Sequence, residues 1–293
     1  MRASLARGAV ASLTTGLVAG GAVAWHARHR APRNVKLRHL RIGEPTAGEA
    51  LRIGFVTDTH VGPTVSAAEL DRAMQLVMDE EPDLLLLGGD YVSESPRYLP
   101  ETANVIGAYT RALPLGVLAV FGNHDYSNDA PRMERLLSGH GVRVLRNEAA
   151  CLSGSPLWIA GIDDAMLSVP DVAGTFAQIP EHAPVVALWH EPDGADEVAR
   201  HGAMLQVSGH SHGGQVRLPY LGHVAAPAGG RRYVSGLYNA SGMPIYTSHG
   251  VGAYRPPLRY RCEPEVTLIS LHLPPCQRVN MTHDAQPGGT REF

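Results

Sequence analysis

Near-continuous apolar runs alternate with helix-period segments through the first half of the chain. LRIGFVTDTH (51–60), DLLLLGGD (83–90) and LGVLAVFGNHDY (115–126) each break into acids, amides or histidines at the C-terminal end. Runs that do not alternate with polar residues are expected of strands buried on both faces. Between them, SAAELDRAMQLVMDEE (66–81) starts with Ser66 and has Glu69 three residues on, a capping-box pattern. Leu70, Met74 and Val77 then recur at helical spacing, and Pro82 helps stop the helix. TANVIGAYTRAL (102–113) also reads as a helix, as does DAPRMERLLSGHG (129–141), with Asp129 as cap, Pro131 in the first turn and Gly141 as stop. NVKLRHLRI (34–42) predicts an earlier strand.

The second half is richer in strands. VRVLRN (142–147), SPLWIAGIDD (155–164), APVVALWHEP (183–192), AMLQVSGHSHGGQVRL (203–218), MPIYTSHGVG (243–252) and PEVTLISLHL (264–273) all qualify. Gly213 and Gly214 interrupt one of them, residues 231–248 suggest a hairpin turning at Asn239 to Gly242, and short helices are expected over 169–178 and 194–201. Strand–helix alternation with doubly buried strands predicts an α/β layered domain, here two packed sheets flanked by helices. The expected boundaries are an N-terminal hydrophobic anchor or signal segment over 1–30, a linker and first strand over 31–50, the main domain over 51–272 and a flexible tail over 273–293.

Composition narrows the function classes. A formal net charge of -3 over 293 residues provides no general polycation for a phosphate backbone, so dedicated nucleic-acid binding is not expected. Cys151, Cys262 and Cys276 are too dispersed for a disulfide framework or a zinc knuckle. GAVASLTTGLVAGGAVAW (8–25) runs eighteen residues without a charge, a length that fits a membrane-spanning helix. The cationic cluster Arg28, Arg30, Arg33, Lys36, Arg38 and Arg41 behind it favours a single-pass anchor with the main domain on the cytoplasmic side. Ala22-Val23-Ala24 is the alternative signal, for cleavage and export to a periplasmic location.

The polar residues at the strand ends are Asp58, His60, Asp90, Asn123, His124, His190, His210 and His212. Carboxyl ends of neighbouring strands converge on one crevice, so groups thirty to sixty residues apart in sequence can meet there. Carboxylate, imidazole and amide donors suit Mn²⁺, Fe or Zn²⁺ better than a thiolate-demanding site. Seven such ligands exceed one tetrahedral site and suit two ions sharing a carboxylate. No GxxxxGK or early GxGxxG supports a nucleotide loop.

Asp58-Thr59-His60, Gly89-Asp90, Gly122-Asn123-His124-Asp125, His190 and Gly209-His210-Ser211-His212 together resemble the ordered motifs of the calcineurin-like metallophosphoesterases over about residues 51–215. The N-terminal run, GHSHGGQ (209–215) and PEVTLISL (264–271) further resemble the membrane-associated, YkuE-like bacterial branch. The resemblance implies a four-layer α/β/β/α sandwich of two mixed sheets and a hydrolase holding two divalent ions, Mn²⁺ first, with Fe or Zn²⁺ as alternatives. Asp58, His60 and His212 would hold one ion; Asn123, His190 and His210 the other; Asp90 would bridge them. His124 would face the substrate as the catalytic acid and Asp125 would orient it. The branch usually has an arginine in the Ser-x-Gly segment where this chain has Ser248-His249-Gly250, which makes His249 a candidate phosphate contact at the rim. The activity implied is hydrolysis of a phosphomonoester, phosphodiester or pyrophosphate bond by metal-activated water. A phosphorylated small molecule or a lipid-linked, cell-envelope compound is the expected substrate. UDP-2,3-diacylglucosamine pyrophosphate hydrolysis, nuclease or cyclic-nucleotide phosphodiesterase activity, and a non-catalytic metal-stabilised binding protein are the alternatives.

Overall fold

The computed structural model describes residues 19–45 and 50–273. Two six-stranded sheets pack face to face. The first has the order β1 (Lys36–Ile42), β14 (Glu265–Leu271), β2 (Leu51–Val56), β3 (Leu84–Leu87), β4 (Val117–Ala119), β5 (Val142–Val144). Strands β2 to β5 run parallel, whereas β14 is antiparallel to β2 and parallel to β1. The second sheet has the order β12 (Gly236–Ala240), β13 (Met243–Thr247), β9 (Leu205–Ser208), β8 (Val185–Trp189), β7 (Trp158–Ile162), β6 (Glu148–Cys151). Its centre is parallel and both edge strands are antiparallel. A small ribbon, β10 (Arg217–Leu218) with β11 (Gly222–His223), stands apart.

Side-chain alternation along the apolar runs creates the layers. Ile53, Phe55, Leu84, Leu86, Leu118 and Val120 point inward against Ile159, Val186, Leu188, Leu205 and Val207 of the other sheet. Leu85 and Leu87 point outward, under α2 (Ala67–Met78), α3 (Leu99–Gly107) and α5 (Ala130–Gly139). The outer face of the second sheet is covered by α6 (Val172–Phe176) and α7 (Ala195–Arg200), through Ile162, Val172, Phe176, Ala187 and Val198. The central strands β2, β3, β4, β7, β8 and β9 thus bury both faces, which is why the sequence shows runs there instead of alternation. The α/β/β/α order holds, and β1 belongs to the first sheet through a seven-residue register with β14.

Ser66 accepts the backbone N–H of Glu69, whose carboxylate returns to the Ser66 N–H, so α2 begins with the expected capping box. Asp129 likewise accepts from the Arg132 N–H at the start of α5. One segment departs from expectation: after β4 the chain turns at Gly122 and coils into a short helix, α4 (Asn123–Asn128).

The expected single-pass anchor requires correction. Helix α1, described over residues 19–29, ends against the main domain, where Ala27 is buried and its carbonyl accepts the Arg259 N–H at 2.9 Å. Among the described residues no helix is long and apolar enough to cross a membrane, so neither the membrane partner nor a location resting on the anchor is supported. The start of the apolar run, residues 8–18, and nearly all of the expected C-terminal tail lie outside the described residues.

Candidate metal centre

The strand ends meet where the two sheets splay apart. Asp58 and His60 follow β2, Asp90 follows β3, Asn123 and His124 open α4 beyond β4, His190 follows β8, and His210 and His212 follow β9. Asp58, His60 and His212 bring ligand atoms within 4.8 Å of one another, and so do Asp90, His190 and His210. Asp90 also groups with His60 and His124, so its carboxylate reaches both sides. His60 Nε2 lies 3.1 Å from His212 Nε2 and 3.5 Å from Asp90 Oδ2, while His190 Nε2 lies 3.2 Å from Asp90 Oδ2.

Hydrogen bonds at the far side of the rings fix which nitrogen faces the centre. His190 Nδ1–H donates to the Gly88 carbonyl at 2.6 Å, which turns Nε2 toward Asp90. His210 Nε2–H donates to the Ala228 carbonyl at 2.7 Å, leaving Nδ1. Asp58 accepts the His210 N–H and the Thr57 hydroxyl, which orients its carboxylate. Burial pushes the His60 imidazole down to about 3 and His210 down to about 4, and it holds His212 well below its ordinary value. These rings are therefore neutral lone-pair donors near pH 7. Burial pushes Asp58 up to about 6. For Asp90 burial acts the same way, but the adjacent His190 outweighs it and holds the carboxyl well below its usual range.

The residues fit a pair of cations. Asn123 Oδ1 is buried without a hydrogen-bond partner, an arrangement that is costly unless something electropositive binds there. His60 Nε2 and His212 Nε2 lie 3.1 Å apart and cannot both donate, so at least one presents a lone pair there. Glycine makes the convergence possible. A Cβ at Gly122 would collide with Asp90 Oδ1 and His190 Nε2, and one at Gly209 would collide with Asp58 Oδ2. Asp58, His60, Asp90, His210 and His212 all adopt left-handed backbone, with φ between 45° and 66°.

Two expected roles fail on geometry. Asp125 does not hold the His124 ring. It is buried, and its carboxylate accepts the N–H groups of Asp90, Tyr91 and Gly122 at 2.7, 2.9 and 2.9 Å, binding the two strand-end turns together. His249 is not a rim residue either. Its Nε2 pairs with Ser235 Oγ at 2.8 Å and its Nδ1–H donates to the Glu263 carbonyl at 2.9 Å, behind Gly213, so neither nitrogen is free for phosphate.

Arg259 is the residue that no sequence pattern marked. Fully buried, it donates to the carbonyls of His249, Gly250, Gly252 and Cys262. That strap lies on the metal ligands: the Gly252 N–H donates to the Asp58 carbonyl at 2.6 Å, and a Cβ at Gly252 would meet His60 Cβ. Arg259 therefore clamps the backing of Asp58 and His60. A lone arginine in PPLRYRCEP has no spacing to announce this role.

Asp90, Asn123, His210 and His212 line a cleft of about 620 Å³ that also contains His124. The His124 ring stands edge-on to His60 at 4.8 Å between centroids and 5.2 Å from Tyr254. Its backbone N–H donates to Asp90 Oδ1 at 2.8 Å. Among the described residues no hydrogen bond occupies either ring nitrogen.

Comparison with known proteins agrees with this geometry. The family profile described as calcineurin-like phosphoesterase matches residues 51–214. The uncharacterized metallophosphoesterase YkuE of Bacillus subtilis is 30% identical over 277 residues, covering 92% of this chain and 97% of that protein. Phosphodiesterase YaeI of Escherichia coli is 31% identical over 229 residues, covering 75% of this chain and 82% of its own length. The uncharacterized metallophosphoesterase YkoQ of B. subtilis is 30% identical over 251 residues, covering 82% and 91%. With its two triads intact, the chain belongs to the calcineurin-like phosphoesterases and is a metal-dependent phosphoesterase with a dinuclear metal-binding site.

Proposed function

We propose that the chain hydrolyses a phosphodiester by direct displacement, with His124 protonating the leaving oxygen. The observation that carries this reading is the position of His124, in the cleft beside both triads with its ring nitrogens uncommitted. The relative named a phosphodiesterase supports the diester. Asp58, His60 and His212 would hold one cation and Asn123, His190 and His210 the other, with Asp90 between them. Mn²⁺ is the proposed occupant, and Fe or Zn²⁺ the alternatives, because the donors are oxygen and nitrogen without thiolate. When bound, the ions stabilise the charge that develops on the phosphoryl oxygens and acidify the attacking water.

The protein residues supply the rest. Asp90 fixes His124 through the latter's backbone N–H, so the acid and the bridging carboxylate move together. The Nδ1–H of His190 stays on Gly88 and the Nε2–H of His210 on Ala228, which prevents either ring from turning away. His124 delivers its proton to the departing alkoxide, and no covalent phosphoenzyme is needed.

Replacing His124 by Gln tests the role. Metal content should stay at two ions per chain while turnover of a chromogenic diester falls by about 10²- to 10⁴-fold. Wild-type turnover in that variant would remove His124 from the mechanism.

A further inference from the structure

Exposed apolar side chains are unevenly distributed over this protein. Among the described residues twelve large hydrophobic side chains are exposed, and eight of them lie on three segments, each of which sends one residue, Met166, Val224 or Tyr254, into the lining of the catalytic cleft. Met166, Leu167 and Val169 belong to the loop after β7; Leu218, Tyr220, Leu221 and Val224 to the β10–β11 ribbon and its exit; Tyr254 to the strap beside His124. Scattered exposed leucines need no explanation, but three apolar segments that contribute to one cleft mark a binding surface.

The cleft wall itself continues that surface. Opposite the metal ligands it is formed by Met166, Val216, Val224, Pro227, Tyr254 and Leu258. Among the described residues Arg255 is the single lysine or arginine lining it, and its guanidinium is paired in a fork with Glu94. Among those residues the cleft therefore presents no unpaired lysine or arginine to a second phosphate or a nucleotide's polyphosphate. The wall also starts next to the chemistry, since the Tyr254 ring lies tilted 5.2 Å from that of His124.

We infer that the apolar wall is a substrate subsite and that the physiological substrate is a phosphodiester carrying an alkyl or similarly apolar group beside the scissile bond. The inference rests on the phosphoesterase reading of the site and adds the class of substituent. Each methylene fully withdrawn from water contributes up to about fourfold in affinity.

The test uses the full-length, Mn²⁺-loaded protein and the methyl, butyl and hexyl 4-nitrophenyl phosphodiesters, which share one leaving group. We expect kcat/KM to rise about tenfold or more from methyl to hexyl. Val224→Asp and Leu258→Asp should each reduce the hexyl-to-methyl ratio toward unity. Calorimetric titration with methyl phosphate and hexyl phosphate, kept below micelle-forming concentrations, provides the second readout and needs no turnover. Tighter binding of hexyl phosphate, weakened by the same substitutions, supports the subsite. A flat series in the active enzyme, or equal binding of the two phosphates, overturns it. If no diester is cleaved yet hexyl phosphate binds more tightly, the diester assignment fails while the apolar subsite stands.

Discussion

Left-handed backbone at five proposed ligand residues is a local cost borne for geometry. A non-glycine residue in this region is disfavoured by roughly 1–2 kcal/mol, and such strain collects where a site requires it. Asn tolerates the conformation better than His. His212→Asn should therefore leave the chelated protein as stable as the wild type, or up to about 1 kcal/mol more so, while roughly halving the rise in melting temperature on adding Mn²⁺, because one of the two sites is lost. Gly122 poses the opposite constraint. In Gly122→Ala the new methyl has to displace Asp90 or His190, so metal stoichiometry should fall below two and stability by about 1–3 kcal/mol. Elemental analysis and thermal melts on the same samples check both. The ligand types were legible because each stands at the end of an apolar run and five blocks recur in order. The tasks of Asp125 and His249 were not. An Asp beside a His does not reveal whether it pairs with the ring or with backbone N–H groups three residues back.

The elements themselves were largely written in the hydrophobic pattern, since α2, α5 and the core strands follow from periodicity and caps. Helix α4 escaped because its six residues, NHDYSN, carry no apolar stripe; Gly122 and the Asp125 carboxylate cap it from within the site. Placement of β14 between β1 and β2 was equally invisible, because sheet order depends on non-local pairing. Two predictions belong at this scale. Burial raises the Glu69 carboxyl, but the Ser66 N–H, the Ser66 hydroxyl and Arg33 outweigh it and hold the group below its ordinary value. The unfolded chain has the higher value, so the stabilisation is complete above about pH 5 and is lost as pH falls through the folded value. Acid melts should show this slope in the wild type and its loss in Glu69→Gln. Arg259→Met should cost about 3 kcal/mol or more by stranding buried carbonyls, and Arg259→Lys should restore little, because an ammonium lacks the fork. Chemical denaturation measures the cost, and metal titration should show the loss concentrated at the Asp58–His60–His212 site.

For the whole molecule, two sheets packed face to face position the ends of β2, β3, β4, β8 and β9 at one edge. Both triads draw on both sheets: Asp58 and His60 follow the first and His212 the second, while Asp90 follows the first and His190 and His210 the second. Ion binding should consequently tie the layers together. At free Mn²⁺ a hundredfold above its dissociation constant, each site adds about 2.7 kcal/mol, so chelation should lower the melting temperature and Mn²⁺ should restore it. An unchanged melt after verified metal removal would contradict a site built across the sheets. The positive φ angles at Asp58, His60, Asp90, His210 and His212 also separate the demands of the fold from those of the site. Glycine would relax the backbone at every one of them, so the acids and imidazoles there answer to what they hold and not to the architecture.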